Sequence, residues 1–238
     1  MIRTWVQRLG RHHVDPWTAQ ARAEERYQAL LARGVPAARA AERAARDAVS
    51  VQLVERARAG DRGARDQLVE IWLDPVHRWC RIGAGPGVAP DDAAHDALVR
   101  LVEGLDRLRD AEALYGWVWG LVWRVLREHE RRARIRAWMP AAWTRSAEQE
   151  IHAAERSEGV GRILAVLPLE DRAVLTLAYL EDHSRDQIAA ALDLPLGTVN
   201  RRLTRAREAF RRRAEARGLD GDALLDPGAQ ADDHQELA

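Results

Sequence analysis

The sequence predicts an all-α protein of two helical domains joined by a flexible linker, the C-terminal domain being a helix-turn-helix. Two observations predict it. Ala, Leu, Arg and Glu are dense while Val, Ile and Thr are sparse, which favours helix over strand. Apolar residues recur at helical spacing, and no alternating strand pattern persists anywhere along the chain.

The elements follow in order. Asp15-Pro16 reads as an N-cap followed by Pro at the first helical position, opening a helix that runs to about Arg33 and stops at Gly34. Pro36 restarts a helix rich in Ala and Arg, which ends near Ala59 before the break at Gly60-Asp61. A helix is expected from about Gly63 to Ile82, kinked or divided at Pro75. Residues 83–87 form a loop. Pro90-Asp91-Asp92 opens the next helix with acids at its positive end, and that helix reaches about Leu105. A short turn at Arg107–Asp110 leads into a long helix from Glu112 to about Arg136. From Trp138 to about Gly161 the pattern loosens into a linker with partial helix that carries Glu148, Glu150, Glu155 and Glu158. A second compact unit spans roughly Gly161 to Arg217, and the rest, rich in Asp, Gly and Ala, is expected to be disordered.

Composition excludes several function classes. All 37 basic residues are Arg. A GC-rich genome accounts for part of that bias, and Arg also suits phosphate and guanine contacts. The formal net charge is zero, which argues against a protein that coats DNA by general basicity. The average hides a pattern. Residues 111–136 carry six Arg against three acids, residues 195–217 eight against two, and residues 218–238 six acids and no Arg. The two basic segments are where nucleic acid would be met. The single Cys80 excludes an intrachain disulfide and a Cys-rich zinc site. The pair His12–His13 lacks partners at ligand spacing and reads as surface. No Ser/His/Asp set, phosphate loop or metal cluster argues for an enzyme, so neither catalytic residues, cofactor nor metal is expected. The N-terminus lacks the apolar core of a signal peptide. The apolar run Trp117–Leu126 is interrupted by Arg124 and is too short to span a bilayer. A cytoplasmic protein without membrane insertion is expected.

The C-terminal unit carries the most specific pattern. Ser184-Arg-Asp-Gln187 fits a capping box, with Ile188, Ala189 and Leu192 following on one face. Residues 193–197, Asp-Leu-Pro-Leu-Gly, make the turn. The next helix sets Val199, Leu203, Ala206 and Phe210 at spacings of four, three and four, a core-facing stripe. Its other faces hold Thr198, Asn200, Arg201, Arg202, Arg205 and Arg207. Such a helix fits the major groove, where Arg pairs with guanine and Asn with adenine in bidentate fashion, and more distant Arg meets phosphates. An amphipathic helix whose Arg face is merely solvated is the alternative, and the capped preceding helix and short turn weigh against it.

Residues 162–212 resemble region four of the bacterial sigma factors of the extracytoplasmic-function group. The resemblance rests on Leu167-Pro168, Arg172-Ala-Val-Leu175, Tyr179-Leu180-Glu181, Ile188-Ala189, Leu192, Gly197-Thr-Val199, Arg202-Leu203 and Arg205-Ala-Arg207. It implies that this domain reads the upstream (minus-thirty-five) promoter element, with Arg172 joining the residues above, and touches the flap of core RNA polymerase. Pro195 stands where the family often has a capping Ser, which predicts a weaker cap. Asp193 stands for the common Gly of the turn and tolerates left-handed geometry.

Residues 53–136 resemble region two of the same family more loosely. Gly60-Asp61 looks like its opening. Asp91-Asp92-Ala-Ala-His95-Asp96 sits where the family has an acidic helix that grips the clamp helices of the polymerase, which implies polymerase contacts by Asp92, His95, Asp96, Val99 and Arg100. Leu114-Tyr-Gly-Trp117-Val118 matches the opening of the promoter-melting helix, along which Trp119, Trp123, Arg124, Arg127 and Arg131 are expected at the downstream (minus-ten) element. In the family a flipped base is captured in a pocket, which the resemblance places at residues 107–114. Aromatic faces stack on unpaired bases; burial is the expectation for Trp117, while Trp119 or Trp123 is expected to face solvent, DNA or a partner helix. His95 replaces a usual Gln, Trp123-Arg124 a usual Arg-Asn, and Arg65 a common aromatic. The acidic linker either follows the path of RNA, as its family position implies, or is a solvated tether.

The resulting division is 1–52, a helical extension; 53–136, the region-two-like domain; 137–160, the acidic linker; 161–217, the region-four-like domain; and 218–238, an acidic disordered tail. Residues 1–52 lie outside the resemblance, as a hairpin packing on region two, a binding site for another protein, or an extension with no separate role. The tail is a candidate competitor with DNA for the 195–217 helix. The expected function is that of a sigma factor binding core polymerase and promoter DNA, with an anti-sigma factor a further candidate partner. The alternatives are a helix-turn-helix regulator independent of polymerase and a sigma-like adaptor that binds without initiating.

Overall fold

A computed structural model describes residues 1–10, 14–138 and 160–225. The pair His12–His13, the linker residues 139–159 and the tail from 226 onward lie outside the described residues. The helices are α1 (Ile2–Leu9), α2 (Pro16–Leu31), α3 (Ala37–Arg58), α4 (Arg62–Gly83), α5 (Pro90–Gly104), α6 (Leu114–Trp138), α7 (Val160–Ala165), α8 (Leu169–Leu175), α9 (Arg185–Leu192), α10 (Leu196–Glu215) and α11 (Gly221–Leu224). No strand occurs among the described residues, and no helix of theirs is long and apolar enough to cross a membrane.

Contacts divide the chain into two compact units, one of residues 1–76 with 98–118, the other of 77–97 with 119–238. This division runs through α4, α5 and α6 rather than between the segments set out from sequence. Residues 1–52 pack into the first unit, and the helix-turn-helix shares the second with parts of α4, α5 and α6.

In the first unit, α1 packs on α2 and α3, burying Ile2 and Val6; this helix was not expected from sequence. Asp15 caps α2 as expected, accepting from Trp17 N and Thr18 N at 3.2 Å each. Gln52 fixes that cap to α3, accepting from Asp15 N at 2.8 Å and donating to Asp15 O at 3.2 Å. Gly34, at φ +80°, turns the chain so that Leu30, Val35, Ala40 and Ala44 form a small core covered by Tyr27 and Leu31. The fully buried Ala40, Ala41, Ala44, Ala45 and Ala48 of α3 allow its neighbours to approach closely.

Of the two outcomes expected at Pro75, a kink or a division, the helix is not divided: α4 is continuous from Arg62 to Gly83. A Pro inside a helix costs about 3 kcal/mol. Trp72, Val76 and Trp79 on this helix are all fully buried, and each such side chain returns about 1.5–3 kcal/mol, so burial outweighs the missing hydrogen bond. The long sixth helix begins at Leu114, after a 3-10 turn at Ala111–Ala113 whose first free amide, that of Glu112, donates to Asp110 at 2.9 Å.

The second unit is built around three tryptophans. Trp79 meets Trp119 edge-on at 4.6 Å, and Trp119 lies 6.0 Å from Trp123. The buried Glu181 carboxylate accepts from Trp79 Nε1 at 2.7 Å and from Arg78 at 3.1 Å, tying the end of α4 to the turn before α9. Helix α11 packs on α10, with Arg211 and Asp222 2.5 Å apart. The first residues of the tail are thus helical, because Asp220 caps α11 by accepting from Asp222 N and Ala223 N, a correction to the disorder expected there.

Candidate nucleic-acid interface

The two helices of the turn motif are built locally. The capping box forms as its residues predict: Gln187 N donates to Ser184 Oγ at 3.3 Å and Ser184 N to Gln187 Oε1 at 3.1 Å. Helix α9 ends on Asp193 in the left-handed region, φ 52° and ψ 52°, and Leu194 N closes back on Ala189 O at 2.9 Å. The short polar side chain of Asp carries that conformation at less cost than most residues. Pro195 then stands at the N-cap of α10 with no side-chain hydrogen bond, the weaker cap that its identity predicts.

Helix α10 buries Val199, Leu203, Ala206, Ala209, Phe210 and Ala214. Its outer face presents Arg201, Thr204 and Arg205 to solvent, with Thr198, Asn200, Arg202 and Arg207 half-buried at its margins. Two of these arginines are held by the protein. Arg205 donates to Asp171 at 2.6 Å, and this hydrogen bond, then the Asp171 charge, raises its pKa. Arg207 donates from Nε to the Tyr179 hydroxyl and lies over its ring at 5.2 Å. Thr204 Oγ1 donates to Asn200 O at 3.1 Å, while Asn200 Oδ1 has no partner among the described residues.

Arg172 is placed otherwise than expected. It is 1% exposed, donating from Nη1 to Ala165 O at 3.1 Å and Leu167 O at 2.7 Å and from Nη2 to the Glu130 carboxylate. Burial lowers its pKa, with Glu130 opposing. Arg172 thus joins α6 to the turn between α7 and α8 and is withdrawn from solvent.

The residues expected at the downstream element divide as well. Trp119 and Trp123 are 0% and 3% exposed, a correction to the expectation that one of them faces outward: the edge contact with Trp79 and the close approach of Gly83, whose added Cβ would lie 3.2 Å from Trp123, bury both. Trp117 is half-buried, its ring covering Gly104. Arg124, Arg127 and Arg131 are exposed at helical spacing on α6, with Arg127 4.0 Å from Glu170. On α5, Asp92, His95 and Val99 are exposed and Arg100 half-buried. Asp96 is drawn toward α6, 2.9 Å from His129 Nε2 and 3.9 Å from Arg132.

Sequence reasoning did not find the Glu181 node or the ion pairs of Arg22 and Arg26 with Glu112. Glu181 belongs to a motif of the resemblance, but nothing local signals that Trp79, 102 positions away, is its partner.

Residues 157–210 match the family model of sigma-70, region 4. The extracytoplasmic-function RNA polymerase sigma factor SigM of Mycobacterium tuberculosis is 29% identical over 142 residues, covering 60% of this chain and 72% of that protein. SigW of Bacillus subtilis is 23% identical over 160 residues, covering 61% and 86%. The sigma-E factor of Escherichia coli is 28% identical over 143 residues, covering 50% and 70%.

Proposed function

We propose that this chain, related to the extracytoplasmic-function sigma factors of the sigma-70 family through its region 4 domain and the wider similarity around it, binds core RNA polymerase and directs it to promoters. The observation that carries the reading is the helix-turn-helix itself. A capped α9, a tight left-handed turn at Asp193 and an α10 with Arg201, Thr204 and Arg205 exposed form the arrangement that inserts in a major groove. Arg201 and Arg202 read base edges of the upstream element, with Thr198 and Asn200 beside them. Arg205 and Arg207 meet phosphates, exchanging or sharing the partners they hold here.

The downstream element is met by Arg124, Arg127 and Arg131, while the buried Trp119 and Trp123 anchor α6 through the packing of Trp119 on Trp79. Arg172 acts as a structural residue. Asp92, His95 and Val99 are the solvent face of α5 offered to the polymerase clamp, with Asp96 and Arg100 at its border; the region 4 domain meets the flap. The domain limits taken from sequence, 53–136 and 161–217, describe these two functional segments. The chain supplies recognition and positioning and leaves the chemistry to the polymerase.

The test is to mix the protein with core polymerase and measure binding and transcription from genomic fragments. Co-elution with core polymerase and promoter-dependent transcripts support the proposal. DNA binding without polymerase binding leaves a regulator, and polymerase binding without initiation leaves an adaptor.

A further inference from the structure

We propose that α2 and α3, which lie in and around the N-terminal extension, are a positioning element for residues 105–114, holding that segment in the shape in which it receives an unpaired promoter base. The inference rests on the sigma-factor reading proposed above and on the base pocket that the resemblance to region two places at residues 107–114, within this segment, and it assigns a role to residues that the family match leaves unexplained.

The contacts lie within the first compact unit. Arg26 stands between two carboxylates on different elements, 3.2 Å from Asp47 of α3 and in direct contact with Glu112 of the 3-10 turn. Arg22, one turn earlier on α2, reaches the other Glu112 oxygen at 3.0 Å. A single turn carboxylate is thereby gripped by two guanidiniums from one helix. The entry to α6 is held from α3: the Arg43 guanidinium lies 4.3 Å from the centre of the Tyr115 ring, and the buried Arg46 covers both Tyr115 and Trp72. The other end of the segment is held too. Arg58 donates to Leu105 O at 3.4 Å, and Arg65 of α4 lies 3.7 Å from Asp106. Leu105, Leu108 and Leu114 are buried beneath these ties, while Glu112 itself is 47% exposed.

The arrangement suits positioning. Two short 3-10 turns, Leu105–Arg107 and Ala111–Ala113, joined by irregular chain have little hydrogen bonding of their own, so their shape must be imposed by neighbours. Here the neighbours are cationic side chains presented by three long helices, α2 and α3 with Arg65 of α4. A segment ordered before DNA arrives does not lose that conformational freedom on binding, which favours capture of a base.

The test uses the full chain. Arg26→Ala and, independently, Glu112→Gln are compared with wild type by amide hydrogen exchange across 105–114 in the free protein and by promoter opening with core polymerase, read from 2-aminopurine fluorescence at the downstream element. Both variants are expected to speed exchange in this segment by about fivefold, the scale of a small ion-pair network, and to slow opening by about fivefold through lost positioning. Affinity for core polymerase and for an upstream-element duplex stays unchanged. Arg26→Lys, which keeps a cation between Asp47 and Glu112, restores most of both. Glu112 sits in an exposed turn, so Glu112→Gln keeps the test open if Arg26→Ala fails to fold. Unchanged exchange overturns the brace, and faster exchange with unchanged opening overturns the positioning role. Wild-type protein that opens no promoter, whatever the exchange shows, overturns the sigma-factor reading and the base-receiving role with it.

Discussion

The Arg172 guanidinium meets the Glu130 carboxylate with both side chains withdrawn from solvent, at 2% and 15% side-chain exposure. Removing one member of a buried pair strands the other charge, so Arg172→Ala should lower unfolding free energy by about 3–5 kcal/mol, seen as a fall in the denaturant midpoint. Replacing both residues together by Met should cost less, because no charge is stranded, the remaining loss being the hydrogen bonds to Ala165 O and Leu167 O. If Arg172 were a DNA contact instead, the Ala variant would keep its stability and lose affinity alone.

Arg201 is exposed on the leading half of α10, and the proposed function assigns it a base edge of the upstream element. Arg201→Ala should cost about 1–3 kcal/mol of affinity at one base pair of the upstream element, measured by fluorescence anisotropy over duplexes substituted one position at a time. An equal loss on every duplex would make it a phosphate anchor.

Gly120 tests the packing of α9 against α6. Inside a helix, Gly→Ala ordinarily stabilises by about 1 kcal/mol. Here an added Cβ would lie 2.7 Å from Ala191 O, a backbone atom, and overpacking costs about 1–3 kcal/mol. Gly120→Ala is therefore expected to destabilise, and a raised thermal midpoint would show that the two helices do not meet in this way.

The helix-turn-helix was legible because its determinants are local. Ser184 and Gln187 are three apart, Asp193 sits at the one position that needs left-handed backbone, and the Val199–Phe210 stripe lies on one helix face. The misplaced residues share the opposite property. Arg172 looks like any other charge on an amphipathic helix until Glu130, 42 positions earlier, covers it. Trp119 and Trp123 fall on faces that periodicity leaves ambiguous in an almost wholly apolar stretch, and Trp79 from α4 decides the matter. Pro75 favours a kink or a division by local rules, and the burial of Trp72 and Trp79 keeps the helix undivided. The contacts of residues 1–52 were illegible for the same reason, since Arg26 and Glu112 are 86 positions apart.

Cys80 is fully buried, and burial, with the Asp91 charge adding to it, pushes its thiol up to about 12 from the model-compound value of 9.0. The folded state therefore holds this proton after the unfolded chain has lost it. The thiol's contribution is intact below pH 9 and is lost as pH rises toward about 12, at about 1.4 kcal/mol per pH unit. At pH 8 the native thiol should resist a soluble disulfide reagent, reacting only on unfolding. Cys80→Ala should flatten the alkaline limb of the stability profile, and rapid labelling of the native protein would contradict the burial.

The proposed function is that this chain makes core RNA polymerase start at chosen sites. Its most direct test is to map the 5′ ends of transcripts made by purified core polymerase, with and without the protein, on a library of genomic fragments. Discrete starts should appear only with the protein, share an upstream element, and vanish with Arg201→Ala. Transcript ends identical with and without the protein, from polymerase shown to be active, would contradict it.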